Sequence, residues 1–231
     1  MSSPAVPTYP ETAVERRPSR WPPRIGLLLI LAVIGWYVSV NAGAWKDLVS
    51  ARKLRVVVPQ DIYASGQINQ RLIQGVLLDY KIRHIVCLYK ETPDEDQTVR
   101  EDIQVEKMTA DQLGIDWQDY PLEGDGRGNP DNYVLAVTQM AKDYEAHQPL
   151  LIHCESGAQR SNGATYLFRV LIQHWSPADA VAEIIRNGHN PRSNTKLIPY
   201  LNEKIGYIAQ GLVKAGVLSE VPNPLPQISQ N

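Results

Sequence analysis

Cysteine is scarce in this chain, with Cys87 and Cys154 the two among 231 residues. That scarcity excludes a disulfide-dense scaffold and a four-cysteine zinc site. A surplus of basic charge is also missing: 23 Lys and Arg stand against 25 Asp and Glu, for a formal net charge of -2. No global positive field exists to neutralise a nucleic acid backbone, so nucleic acid is not an expected partner. His84, His147, His174 and His189 show no H-x-x-x-H or mixed Cys/His spacing, so no metal site is expected. What remains is 43% hydrophobic and 21% charged, a globular composition of a length that suits one domain once an unusual N-terminus is set aside.

Residues 1–24 combine Pro4, Pro7, Pro10, Pro18, Pro22 and Pro23 with Arg16, Arg17, Arg20 and Arg24. Such a composition buries no core and interrupts helix, and it reads as a flexible basic tail. Charge is then absent between Arg24 and Lys46, where Ile25 to Val40 reads IGLLLILAVIGWYVSV. Continued to Trp45 as helix, this segment extends about 30 Å, the thickness of a hydrocarbon core. Residues 25–45 are therefore expected to form a single-pass transmembrane anchor. The preceding arginines favour a cytoplasmic N-terminus, with the remaining domain outside the cytoplasm. Two alternatives stand beside it: a secretory signal cleaved near Ala42-Gly43-Ala44, or a buried helix. Lys46, Arg52, Lys53 and Arg55 follow the span and leave a cytoplasmic domain open as well.

From residue 54 onward short apolar runs alternate with helical stretches. LRVVV (54–58), HIVCLY (84–89), IDWQDYPL (115–122) and LLIH (150–153) read as strands, and 68–80 and 97–113 as helices. Asn129-Pro130 opens a helix to about Glu145, and Ser176-Pro177 opens one to about Arg186. Another helix follows Arg160, and Leu197 to Val213 supplies the last. The order predicts an α/β fold. The domain is placed at 46–213, with 214–231, ending VPNPLPQISQN, as a Pro-rich flexible tail.

The informative segment is His153-Cys154-Glu155-Ser156-Gly157-Ala158-Gln159-Arg160-Ser161, set between a buried strand and a helix N-terminus. A loop of this length wraps its N–H groups around a tetrahedral anion, and the helix adds free donors and a favourable dipole. Gly157 permits the tight curl, while Glu155, Ser156, Ala158 and Gln159 line the rest of the cradle. Arg160 closes the ring with a bidentate guanidinium contact that Lys could not reproduce. The same positive surroundings lower the Cys154 pKa and make its thiolate a nucleophile toward phosphorus, with no cofactor required.

This string resembles the Cys-x5-Arg signature, in its HCxxGxxRS form, of the protein tyrosine and dual-specificity phosphatase superfamily. VVPQDIYASGQINQRLI and YKIRHIVCL also resemble the start of compact bacterial and fungal members, whose "YRSGQ" stretch precedes a "gIktVInL" strand. The resemblance spans roughly residues 54–210. It implies the cysteine-phosphatase fold, with a central, mostly parallel sheet of four or five strands flanked by helices. The chain departs in having Ala64 where the family usually has Arg, and Asn162 where Gly usually follows the Arg-Ser pair.

By this resemblance Ser161 donates to the Cys154 sulfur and His153 orients the loop. An acid must protonate the leaving alcohol, and Asp125, flanked by Gly124 and Gly126, is the candidate; Asp119 and Asp131 are the alternatives. The phosphoinositide-phosphatase branch suggests Cys87 as a disulfide partner of Cys154, against its simpler reading as core. The expected function is hydrolysis of a phosphate monoester on a phosphorylated protein or small molecule, with protein phosphotyrosine leading. Inositol phosphates, sulfur transfer and a non-catalytic, membrane-tethered phosphate-binding module are the other readings. Glu155 stands against highly anionic inositides, because its carboxylate repels extra phosphates.

Overall fold

The computed structural model describes residues 28, 30–33, 36, 50–92 and 97–228. The anchor expected over residues 25–45 is corrected here: among the described residues no helix is long and apolar enough to cross a membrane. Positions 28, 30–33 and 36 are helical, and the rest of that segment, like the basic tail at 1–24, lies outside the described residues. A span requires about 20 consecutive apolar residues in one helix. The membrane placement and orientation that depended on it fall with it.

Five strands form one sheet in the order β1-β2-β5-β3-β4. They are β1 (Arg55–Val58), β2 (Ile62–Ser65), β3 (His84–Cys87), β4 (Asp116–Asp119) and β5 (Leu150–His153). The β1 and β2 strands pair antiparallel, and every other pairing is parallel. The strand β2, IYAS, had no signal of its own in the sequence, since these four residues, followed by Gly66-Gln67, show no clear alternation. Its side chains are all buried because the neighbouring strands and helices cover both faces. At the sheet centre lies β5, whose LLIH run is buried throughout.

The helices are α1 (Ile73–Asp79), α2 (Gln97–Leu113), α3 (Pro130–Ala146), α4 (Arg160–Leu167), α5 (Pro177–Arg186) and α6 (Leu197–Lys214). Asn129 caps α3 through the Asp131 N–H, and Ser176 caps α5 through the Asp179 N–H, each with Pro at the first helical turn. The α4 helix runs on through a π-helical turn at Phe168–Ile172. There Arg169 makes a buried two-point contact with Glu183 of α5, at 2.8 and 2.6 Å, and donates to the Val57 carbonyl at 2.7 Å. One face of the sheet packs Val86, Leu88, Ile152 and Cys154 with residues of α3 to α6. The other packs Ile85 and Leu151 with Ile73 and Leu77 of α1 and Ala110 of α2.

Residues 221–228, expected as part of a loose tail, are tied to α4 and α6. Tyr166 donates to the Pro226 carbonyl at 3.0 Å, and the Asn202 side chain exchanges two 2.8 Å bonds with the Ile228 backbone. Val221, Leu225 and Ile228 pack on the core beside them, so proline content did not prevent docking there.

Candidate active site

Parallel strands β2, β3, β4 and β5 direct their C-terminal ends to one edge of the sheet, where loops converge. The loop from Cys154 to Gln159 leaves β5 there and enters α4 at Arg160. Gly157 is its sharpest bend, at φ +69°. A Cβ on Gly157 would lie 2.6 Å from the Gly66 nitrogen and 2.9 Å from the Ser65 carbonyl carbon, so only glycine fits without displacement. The Gln67 N–H donates to the Glu155 carbonyl at 2.8 Å and straps the loop to the end of β2.

Cys154 is fully buried, its sulfur 3.5 Å from the Ser161 hydroxyl. Burial opposes ionisation of the thiol. The Arg160 charge, the Ser161 hydroxyl and backbone N–H groups of Ser161 and Gly157 outweigh it and hold the thiol pKa below its ordinary value. The Arg160 side chain is 3% exposed, and its Nη2 donates to Glu155 Oε2 at 3.0 Å. Its Nε, also buried, has no hydrogen-bond partner among the described residues. A buried guanidinium N–H with no acceptor suits an incoming oxyanion. Gln159 is held from outside by His189, whose Nδ1 lies 2.7 Å from its Oε1.

His153 sits beneath the loop, fully buried, with Nε2 2.8 Å from Glu106 Oε1. Burial works against its charged form, but the neighbouring Glu106 and Cys87 push its pKa well above the ordinary histidine value. Glu106 is fixed in turn by the Trp117 indole N–H at 2.9 Å.

The disulfide suggested between Cys87 and Cys154 is not formed; both thiols are free. Cys87 stands opposite His153 in the β3–β5 register, and side chains in register share a face. It therefore points to the side of Ile85 and Leu151, while Cys154 packs on the other side with Val86 and Ile152. Burial raises the Cys87 pKa, against the opposing influence of the neighbouring His153.

Of the three candidate acids, Asp119 falls on the Cys87 face by the same register argument, beside a cavity of about 150 Å3 lined also by Tyr89, Lys107 and Trp117. Asp131 accepts a 2.7 Å bond from the exposed Tyr207 hydroxyl in the first turn of α3. Asp125 shares a cavity of about 380 Å3 with Gln159 of the Cys154 loop. It also shares an electrostatic neighbour with Cys154 and Arg160, the buried Tyr133, which donates to the Gly126 carbonyl at 2.7 Å. Partial burial resists Asp125 ionisation, but bonds from the Arg127 side chain and N–H, with Lys196 3.7 Å away, leave its pKa below the usual carboxylate value.

No family model matches the sequence, and no curated protein matches it. Solved structures do. The chain is similar to P. aeruginosa TpbA, with a TM-score of 0.54 at 16% identity over 71% of this chain and 91% of that one. It is similar to the core catalytic domain of the PP-IP phosphatase SIW14 from S. cerevisiae, with a TM-score of 0.53 at 22% identity over 73% of this chain and 95% of that one. PTPMT1 follows, with a TM-score of 0.50 at 16% identity over 68% of this chain and 99% of that one. The chain has the cysteine-phosphatase fold. Within that fold, three residues carry contacts that the sequence did not single out: Arg55 on β1, Glu106 on α2, and Tyr89, over whose ring the Arg160 guanidinium lies at 5.3 Å. None follows a spacing rule, because each reaches the loop from a separate element.

Proposed function

We propose that this chain is a phosphatase that hydrolyses phosphate monoesters through a phosphocysteine intermediate. One observation carries the reading: a buried cysteine with a lowered pKa sits in a loop that ends on a buried arginine with an unpartnered N–H. The Cys154 thiolate attacks phosphorus as the ester P–O bond breaks, and Arg160 with the loop N–H groups binds the phosphoryl oxygens. Asp125 gives its proton to the leaving oxygen, then takes one from the water that attacks the phosphocysteine. Ser161 donates to the sulfur as the thiolate departs with inorganic phosphate released.

Protein phosphotyrosine is the leading substrate class. The reactive sulfur is fully buried, which favours a long phenolic ester over a short alkyl one. The half-exposed Glu155 at the rim disfavours ligands with several phosphates. A structure of TpbA, similar to this one with a TM-score of 0.52, is of a complex with pTyr. The full chain, with reductant and EDTA present, is expected to turn over para-nitrophenyl phosphate and a phosphotyrosine peptide, and phosphoserine peptides and inositol polyphosphates more slowly. No phosphate release from any of them overturns the phosphatase reading; preference for the inositol polyphosphates overturns the substrate class alone.

The Arg127 contact sets a pH dependence. The leaving-group acid must be protonated, and Arg127 lowers the Asp125 pKa. Arg127→Ala raises that pKa, so the proton is retained to higher pH and the alkaline limb of the kcat/KM profile moves upward. A limb that stays in place counts against Asp125 as the acid.

A further inference from the structure

The two positions at which the chain departs from the family pattern, Ala64 and Asn162, meet through one side chain. In the antiparallel β1–β2 register Arg55 stands opposite Ala64. The resembled family usually carries Arg at the Ala64 position; here a guanidinium comes from the neighbouring strand. From there Arg55 Nη2 donates to Asn162 Oδ1 at 2.7 Å, and Nη1 donates to the Gly157 carbonyl at 3.3 Å. The Asn162 amide, fully buried, donates to the Ala158 carbonyl at 2.9 Å and to the Ile184 carbonyl at 3.2 Å.

We infer that Arg55 and Asn162 are joint positioning residues for the phosphate loop, holding the Gly157 and Ala158 carbonyls outward so that the N–H groups of the same peptides face the anion. The reason lies in the peptide unit: in a trans peptide the C=O and N–H point opposite ways. Fixing the carbonyls of Gly157 and Ala158 therefore aims the N–H groups of Ala158 and Gln159. Glycine at position 162 has no side chain for this task, and alanine at position 64 has no donor. The pair fills both gaps.

Arg55 also lies within electrostatic reach of Cys154. Burial lowers the Arg55 pKa to about 10, with the Cys154 and Glu183 charges opposing that shift, so it is cationic at neutral pH. Among the described residues, Arg160 from α4, Arg55 from β1 and Tyr133 from α3 are ionisable groups that interact with Cys154.

This inference rests on the phosphatase reading, and a measurement independent of turnover separates the two. In the full chain carrying Cys87→Ser, the rate of Cys154 alkylation by iodoacetamide is followed against pH, beside para-nitrophenyl phosphate kinetics. Arg55→Ala is expected to move the alkylation midpoint up, slowing alkylation about tenfold on the acid side, and to lower kcat/KM about 10²-fold. An unchanged midpoint and unchanged kinetics in Arg55→Ala overturn the inference. Should Arg55→Ala fail to fold, Arg55→Lys decides: it keeps charge but loses the planar fork, so kcat falls while the midpoint holds, and parent-like kcat overturns the inference. A parent midpoint in the ordinary thiol range instead sinks the phosphatase reading, whatever Arg55 does.

Discussion

Cys154→Ser is expected to lower turnover of para-nitrophenyl phosphate by about 10⁴-fold or more, because in the proposed mechanism the residue removed is the group that bonds to phosphorus. A serine hydroxyl fits the same space, but the surroundings that favour a thiolate fall far short of ionising an alcohol. Arg160, the Ser161 hydroxyl and the Gly157 and Ser161 N–H groups stabilise an anion at the position of the sulfur. Their geometry depends on Gly157 and its packing against Ser65 and Gly66, which serine at position 154 leaves untouched. Phosphate and vanadate binding should therefore survive in the variant, measured by calorimetry on the full chain. Turnover retained in Cys154→Ser would rule out the covalent route; binding lost with turnover would mean that the loop had collapsed.

The second large effect is leaving-group dependent. Asp125→Asn keeps the shape of the loop and its amide can still accept from Arg127, but it holds no transferable proton. Hydrolysis of a phenyl phosphate bearing a poor leaving group is expected to fall about 10²- to 10⁴-fold, the usual contribution of a positioned acid. An ester whose leaving group is a strongly acidic phenol needs no proton and should lose far less. Asp119 provides the control with a physical reason. Burial raises its pKa, which suits a proton donor, but β4 turns it to the Cys87 face, away from Cys154. If Asp119→Asn shows the leaving-group dependence and Asp125→Asn does not, the acid is misassigned. In the structure Asp125 is paired with Arg127 and Lys196, so donation requires that pairing to open as substrate enters.

Local chemistry explains which parts of the fold were legible. The caps at Asn129 and Ser176 act within three residues of chain, and both helices begin where those side chains and the following prolines put them. The LLIH strand and the Cys-x5-Arg loop were equally readable, since an apolar run followed by Gly, Arg and Ser states a strand, a curl and a helix entry in order. The anchor was read from hydropathy alone, which says that a segment avoids water and not what shape it takes. The C-terminal tail failed for a related reason: proline removes a donor, yet the Pro226 carbonyl still accepts from Tyr166. The pairing suggested for Cys87 with Cys154 ignored the face on which each side chain emerges, a period-two property of strands that pair only in the folded sheet.

The sequence by itself determined most of the order of elements and the placing of the Cys154–Arg160 loop between a strand and a helix, because these depend on residues within a few positions of one another. The tertiary structure alone decided that β2 joins the sheet, that Cys87 and Asp119 share a face with His153, that Asp125 shares a cavity with Gln159, and that the Arg55 guanidinium reaches Asn162 and the Gly157 carbonyl. Each of those depends on which strand lies beside which. Strand neighbours are chosen by the whole core, through burial and backbone hydrogen bonding summed over distant segments, and no short stretch of chain encodes that choice.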